Sequence, residues 1–157
     1  MAPAKNSKRP VSAPETRAFV ALITAADRLS LEAEQLMKTC GLTGTQFNVL
    51  RILRGAEPEG LACKAIGDRM ISHDPDMTRL LDRMEKRSLI TRERQTEDRR
   101  VIRTRITADG LEILKKLDAP VLELHRRQFR RLSGANLKDL AEKLEQIIPS
   151  EPSEVSK

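Results

Sequence analysis

Residues 75–107 read PDMTRLLDRMEKRSLITRERQTEDRRVIRTRIT, and two periodicities meet inside this stretch. On a helical wheel Met77, Leu80, Leu81 and Met84 cluster within about 60° of one another at 100° per residue. They form a core-facing stripe on a helix expected from Pro75 to about Arg87, opened by Asp74 as cap and Pro75 in the first turn. After Ser88 the period drops to near two. Leu89–Arg94 and Arg100–Ile106 are rich in β-branched residues and flank a charged tip at Gln95–Arg99, the pattern of a two-stranded ribbon.

Opposite the apolar stripe fall Pro75, Arg79, Asp82 and Lys86, with Asp76 and Arg83 on one flank and Thr78 on the other. Asp76, Thr78, Arg79 and Arg83 near a helix N-terminus suit the major groove of a duplex. An arginine forks onto guanine O6 and N7, a carboxylate accepts from cytosine N4, and a threonine methyl meets the thymine methyl. Taken alone, the face fits equally well a solvated surface with an Asp82–Lys86 pair at i, i+4. The ribbon favours DNA. It carries Arg92, Arg94, Arg99, Arg100, Arg103 and Arg105 against Glu93, Glu97 and Asp98. A narrow arginine-bearing tip can enter a minor groove, and its flanks can grip phosphates. Asp98, which would face phosphate there, is read as an internal clamp for a neighbouring arginine or for turn amides.

Working outward, Thr16–Lys38 carries Phe19, Leu22, Ile23, Ala26, Leu29 and Ala33 at helical spacing and ends at Gly41. Thr43 and Gln46 fit a capping box for a second helix with a core side of Phe47, Leu50 and Leu53. A short helix is expected from Leu61 to Met70, with Ile66 and Met70 inward and Gly67 leaving room for another helix. Thr107 caps a long helix that Pro120 should kink or interrupt. Ser133 opens a last helix bearing Leu137, Leu140, Leu144 and Ile147. The expected fold is therefore mainly α with a two-stranded β wing: a winged helix-turn-helix at 43–107, flanked by long helices at 16–40 and 108–148. Residues 1–15 read as a disordered basic arm and 149–157 as a disordered tail. The flanking helices have more apolar surface than so small a core can cover, which predicts a homodimer.

The chain has 157 residues and a formal charge of +6, with 33% charged and 2% aromatic residues. That length suits one domain of helices packed on helices, and the charge suits a polyanionic partner. No apolar run approaches the roughly 18–20 residues that would cross a bilayer, and the opening segment has no apolar centre to make it a secretory signal. Two cysteines, Cys40 and Cys63, make no disulfide framework and fit a reduced, cytoplasmic chain.

The stretch from Thr78 to Thr107 resembles the MarR (multiple antibiotic resistance regulator) family of bacterial transcription factors. The likeness rests on TRLLDRMEKRSLI, on Asp98 followed by Arg100 in the wing, and on the closing Ile106-Thr107; GLTGTQFNVLRIL resembles the family's second helix. It extends over roughly Thr16 to Ile148, with Ser88 standing where glycine is common and Gly67 where alanine is usual. The resemblance implies a homodimer joined through its first and last helices, with two recognition helices in successive major grooves of an inverted-repeat operator. It implies repression, relieved by a small phenolic or other anionic ligand or by cysteine oxidation. By position, Arg79 matches a base-contacting arginine, Arg99 and Arg100 the wing-tip arginines, and Asp98 the aspartate that organises the tip. The tyrosines of the peroxide-sensing branch and the tryptophan of urate-responsive members have no counterpart here.

Elsewhere the plain readings prevail. Cys40, at a helix C-terminus, and Cys63 are read as unreactive thiols. His73, Asp74 and Asp76 are too close in sequence, and lack a fourth partner, to be read as a metal site. His125 beside Arg126 and Arg127 is read as an interface or surface residue. With no paired nucleophile and base the chain is not read as an enzyme, and no cofactor is expected. The leading expectation is a sequence-specific, double-stranded DNA-binding regulator. An ungated architectural or RNA-binding winged helix and a helical protein that binds acidic partners are the alternatives.

Overall fold

The structure is a computed structural model that describes residues 13–72, 74–94 and 101–148. Its elements are α1 (Pro14–Lys38), α2 (Gly44–Arg54), β1 (Leu61–Ala62), α3 (Cys63–Gly67), α4 (Met77–Lys86), β2 (Ile90–Arg94), β3 (Ile102–Ile106), α5 (Ala108–Gln128) and α6 (Gly134–Ile147). They belong to two compact units, one ending at Leu114 and the other beginning at Lys115, inside α5. The arm and tail expected at 1–15 and 149–157 lie outside the described residues, except for Ala13, Pro14 and Glu15. Pro14 and Glu15 belong to α1, where proline suits the first turn and the acid complements the helix dipole. Among the described residues no helix is long and apolar enough to cross a membrane.

In the first unit, Gly41 closes α1 with a positive φ of 68°. The Leu42 and Gly41 amides donate to the Met37 and Lys38 carbonyls at 3.1 and 3.0 Å, and Met37 and Leu42 are both buried. The Thr43–Gln46 capping box forms as expected at the start of α2. Gln46 is itself buried, because its Oε1 accepts from both the Thr43 amide (3.2 Å) and Arg87 Nη1 (3.3 Å), joining the start of α2 to the end of α4. The core side of α2 is Val49, Leu50 and Leu53; Phe47, expected inside, is half-buried with Arg51 above its ring.

The short helix is shorter than its periodicity suggested. Leu61 and Ala62 form a strand, α3 spans only Cys63–Gly67, and Met70 lies beyond it, half-buried. Gly67 does not admit a neighbour, since a Cβ there would meet nothing within 4 Å. The ribbon is accordingly three-stranded, in the order β1–β3–β2, antiparallel throughout, with Leu61 opposite Thr104, Ile90 opposite Ile106 and Arg94 opposite Ile102. Gly60 makes this possible. Its φ is +69°, and a Cβ there would stand 2.5 Å from the Thr104 carbonyl oxygen.

The winged helix-turn-helix core is built from Leu50, Leu53, Ile66, Leu81, Met84 and Ile90, each at most 1% exposed. Thr107 ties the wing to α5: its hydroxyl donates to the Ser88 carbonyl at 2.6 Å and accepts from the Gly110 amide at 3.1 Å. α5 continues as one helix through Pro120 rather than breaking there. In the second unit Ser133 caps α6 by accepting from the Asn136 amide at 3.3 Å. Leu137, Leu140 and Leu144 are half-buried, and no residue of α6 is fully buried.

Ser88 ends α4 in the left-handed region, at φ 56°, where the Leu89 and Ser88 amides donate to the Met84 and Glu85 carbonyls. A Cβ is disfavoured in that conformation, whereas glycine is at ease in it. Ser88→Gly should therefore stabilise the protein by about 0.5–1 kcal/mol, part of the gain being offset by the greater freedom of unfolded glycine. Urea unfolding should show a higher midpoint at unchanged slope.

Candidate nucleic-acid interface

The site begins with what α4 cannot expose. Leu80, Leu81 and Met84 are at most 2% exposed, so the opposite face is turned to solvent with Thr78, Arg79, Arg83 and Lys86 on it. The helix starts at Met77 and is capped by Asp76, not by Asp74: Asp76 Oδ1 accepts from the Arg79 amide at 3.3 Å. Asp74 acts one step earlier, its Oδ1 accepting from the Asp76 amide at 2.8 Å, and Pro75 lies in the turn between them rather than in the helix. The other oxygen of Asp76 lies 3.2 Å from Arg79 Nε, in a pair whose arginine side chain is 78% exposed. Asp76 thus closes the helix end and steers Arg79 while leaving its terminal nitrogens facing outward.

The wing is braced against this helix by Arg92, which sequence reading had counted only as surplus positive charge. Arg92 Nε and Nη2 donate to Glu85 Oε2 at 2.9 and 2.6 Å, and Nη2 donates to Asp82 Oδ1 at 2.5 Å. The Arg92 main-chain amide also donates to Glu85 Oε1 at 3.1 Å. These hydrogen bonds, to Glu85 foremost and also to Asp82, raise the pKa of a guanidinium that is already cationic at any physiological pH. Asp82 consequently pairs with the wing and not with Lys86 along its own helix. The signal was present in the sequence as two acids at i, i+3 on the side of α4 nearest the ribbon, but nothing in the spacing named their partner.

Arg103 and Arg105, expected to grip phosphates, point towards the loop that precedes β1. Arg103 Nη1 donates to the Gly60 carbonyl at 3.2 Å, Arg105 Nε to the Pro58 carbonyl at 2.9 Å, and Arg105 Nη1 to Glu93 Oε2 at 2.8 Å. Their alternation with the buried Thr104 and Ile106 places them on the outer face of β3. Asp98, Arg99 and Arg100, like His73, lie outside the described residues. The described candidates therefore form two groups: Pro75, Asp76, Thr78, Arg79 and Arg83 at the exposed start of α4, and Arg103 and Arg105 fastened across the sheet.

One further tie holds the turn before α4. The Ile71 amide donates to Asn48 Oδ1 at 2.9 Å, anchoring that turn to α2. Neither residue stood out in the sequence, because the contact spans 23 positions and involves a main-chain group.

Residues 42–102 match the sequence model of the MarR family. The chain is 37% identical to a MarR transcription factor from Planctomyces limnophilus of known structure, over 88% of this chain and 99% of that one, with a TM-score of 0.66. It is 28% identical over 130 residues to the HTH-type transcriptional repressor IacR of Pseudomonas putida, covering 83% of this chain and 77% of IacR. A mutant MarR from E. coli, solved in complex with operator DNA, shares the fold at 20% identity and a TM-score of 0.76, over 86% and 96% of the two chains.

The Arg92 brace can be tested without DNA. Arg92→Ala leaves Asp82 and Glu85 as neighbouring carboxylates without their shared cation. Half-exposed pairs are weakened by solvent, so the expected loss is about 1–2 kcal/mol, smaller at high salt. Arg92→Lys, which keeps the charge and loses the fork, should recover only part of it. Chemical unfolding at low and high salt distinguishes these outcomes, and an Arg92→Ala protein as stable as the parent would show that the brace is inert.

Proposed function

The chain belongs to the MarR family of transcriptional regulators, and from that premise we propose that it acts as a homodimeric, sequence-specific repressor on double-stranded DNA. The single observation that carries the DNA-binding reading is the exposed start of α4, where Thr78, Arg79 and Arg83 stand clear of a buried stripe and Asp76 caps and steers. Arg79 is the base reader, its outward fork matched to guanine O6 and N7. Thr78 offers a methyl and a hydroxyl to neighbouring base edges, and Arg83, one turn further on, lies where a phosphate or the groove edge is met. Pro75 and Asp76 set the angle at which the helix enters the groove.

The wing supplies the flank contacts. Arg99 and Arg100 are assigned to the minor groove, with Asp98 organising the tip between them and the strands. Arg103 and Arg105 add positive charge beside the duplex while holding the loop before β1. The dimer reading rests on Phe19, Val20 and Ile23 of α1, each more than half exposed, and on Ile147 and Ile148 at 64% and 66%. Large apolar side chains left exposed on α1, and separately at the end of α6, are what a second copy would cover. Relief of repression by a small phenolic or other anionic ligand extends the family resemblance to this chain, as does cytoplasmic residence. No catalytic role is assigned.

Two measurements test this reading. Sedimentation at micromolar concentration should give a dimer, and a stable folded monomer would remove the basis for a two-fold operator. Selection from random duplexes should return an inverted repeat with half-site centres about 10–10.5 base pairs apart. On that duplex Arg79→Ala should weaken binding by about 1–3 kcal/mol per half-site and relax preference at one base pair, leaving non-specific binding almost unchanged. Equal weakening on every duplex would make Arg79 a phosphate contact, and equal affinity of the parent for all duplexes would favour an architectural role.

A further inference from the structure

Ile71 is 86% exposed, against 66% for Ile148, the next most exposed of the large apolar side chains among the described residues. The apolar groups that rival it, Phe19, Val20, Ile23, Leu31, Ile147 and Ile148, lie on or at the end of α1 and α6, where a second copy accounts for them. Ile71 lies on neither helix. It sits in the turn between α3 and α4, six positions before the first residue of the helix assigned to the major groove. A frayed loop does not explain its exposure, since its own amide is held by Asn48 Oδ1 at 2.9 Å.

The character of that turn narrows what Ile71 can meet. Residues 68–76, the whole of that turn, read DRMISHDPD, with one arginine against three aspartates, and the side chains of Asp74 and Asp76 are engaged in building the helix start. A segment lying along the phosphate backbone would carry a surplus of cations, and this one, with its surplus of carboxylates, would be repelled. A segment that reaches over the groove needs groups that meet base edges. The apolar feature displayed there is the C5 methyl of thymine. We infer that Ile71 is a specificity-determining residue that packs its branched side chain on a thymine methyl at the edge of each half-site. The inference rests on the DNA-binding reading of α4 and adds a contact from outside that helix.

Deoxyuridine differs from thymidine only by the missing methyl, so it isolates the contact. Duplexes selected by the full-length protein are resynthesised with each thymine replaced singly by deoxyuridine, and dissociation constants are measured for the parent and for Ile71→Ala. The parent should lose about fourfold in affinity at one thymine position per half-site, the effect of removing one methyl-sized apolar contact. Ile71→Ala, which removes the contact from both half-sites of the dimer, should bind the thymine duplex about 16-fold more weakly and show no preference for thymine at that position. Its side chain is exposed, so its urea midpoint should match the parent's. The inference is overturned if the parent ignores every deoxyuridine, if Ile71→Ala keeps the full preference, or if Ile71→Ala instead loses affinity equally on all duplexes. A shift of Ile71→Ala towards monomer would overturn it in favour of a contact between copies. Failure of the parent to select any duplex would overturn the DNA-binding reading and this inference with it, whereas the other failures leave that reading intact.

Discussion

Burial of Leu80, Leu81 and Met84 fixes the orientation of α4, and through it the outward placing of Thr78, Arg79 and Arg83. A ten-residue helix is too short to be stable alone, so tertiary burial must hold it. Each of these side chains contributes roughly 1.5–3 kcal/mol on leaving water. Rotating α4 by one residue, about 100°, would expose part of that stripe and turn Arg79 away from the solvent side. The outward presentation of Thr78, Arg79 and Arg83 is thus the complement of the core, and needs no separate device beyond the cap at Asp76.

The arginines of the helix and wing divide their work according to what lies within reach. Arg92 faces two carboxylates on α4 and becomes a brace. Arg103 and Arg105 face carbonyls at Gly60 and Pro58 and fasten the loop that delivers β1 to the sheet. Arg79 faces one carboxylate that takes only its Nε, and so keeps a free fork. A guanidinium with five donors can do structural work and still add positive potential. Charge counting along the ribbon is therefore a poor guide to which arginines touch DNA. The number of salt-sensitive contacts should be smaller than the number of positive residues there.

Apolar exposure is distributed just as unevenly. Most of it lies on α1 and α6 and has a single economical explanation in a second copy of the chain. Ile71 stands apart, pinned at its main chain and shortly before the start of α4. The same physical rule, that large apolar groups are left in water only where something covers them, gives different partners at the two places because the surrounding charge differs.

The winged helix-turn-helix was legible in the sequence because its signals are local. The wheel of Met77, Leu80, Leu81 and Met84, the period-two ribbon, the Thr43–Gln46 box and the Ser133 cap are all set by residues within a few positions of each other. Their energetics are those of one helix turn or one strand. Local rules also misplaced what depends on distant partners. The cap moved from Asp74 to Asp76, Phe47 gave its core place to Val49, and Leu61 and Ala62 became a strand because Thr104 and Arg103 were there to pair with them. The Arg92 brace, the hold of Gln46 on Arg87 and that of Asn48 on Ile71 join residues 7 to 41 positions apart. Sequence by itself determined which faces are apolar and which are charged, since periodicity encodes that directly. Only the tertiary structure decided which charges are already satisfied within the protein and which are left facing solvent, because hydrogen bonding depends on the positions of groups that packing alone brings together.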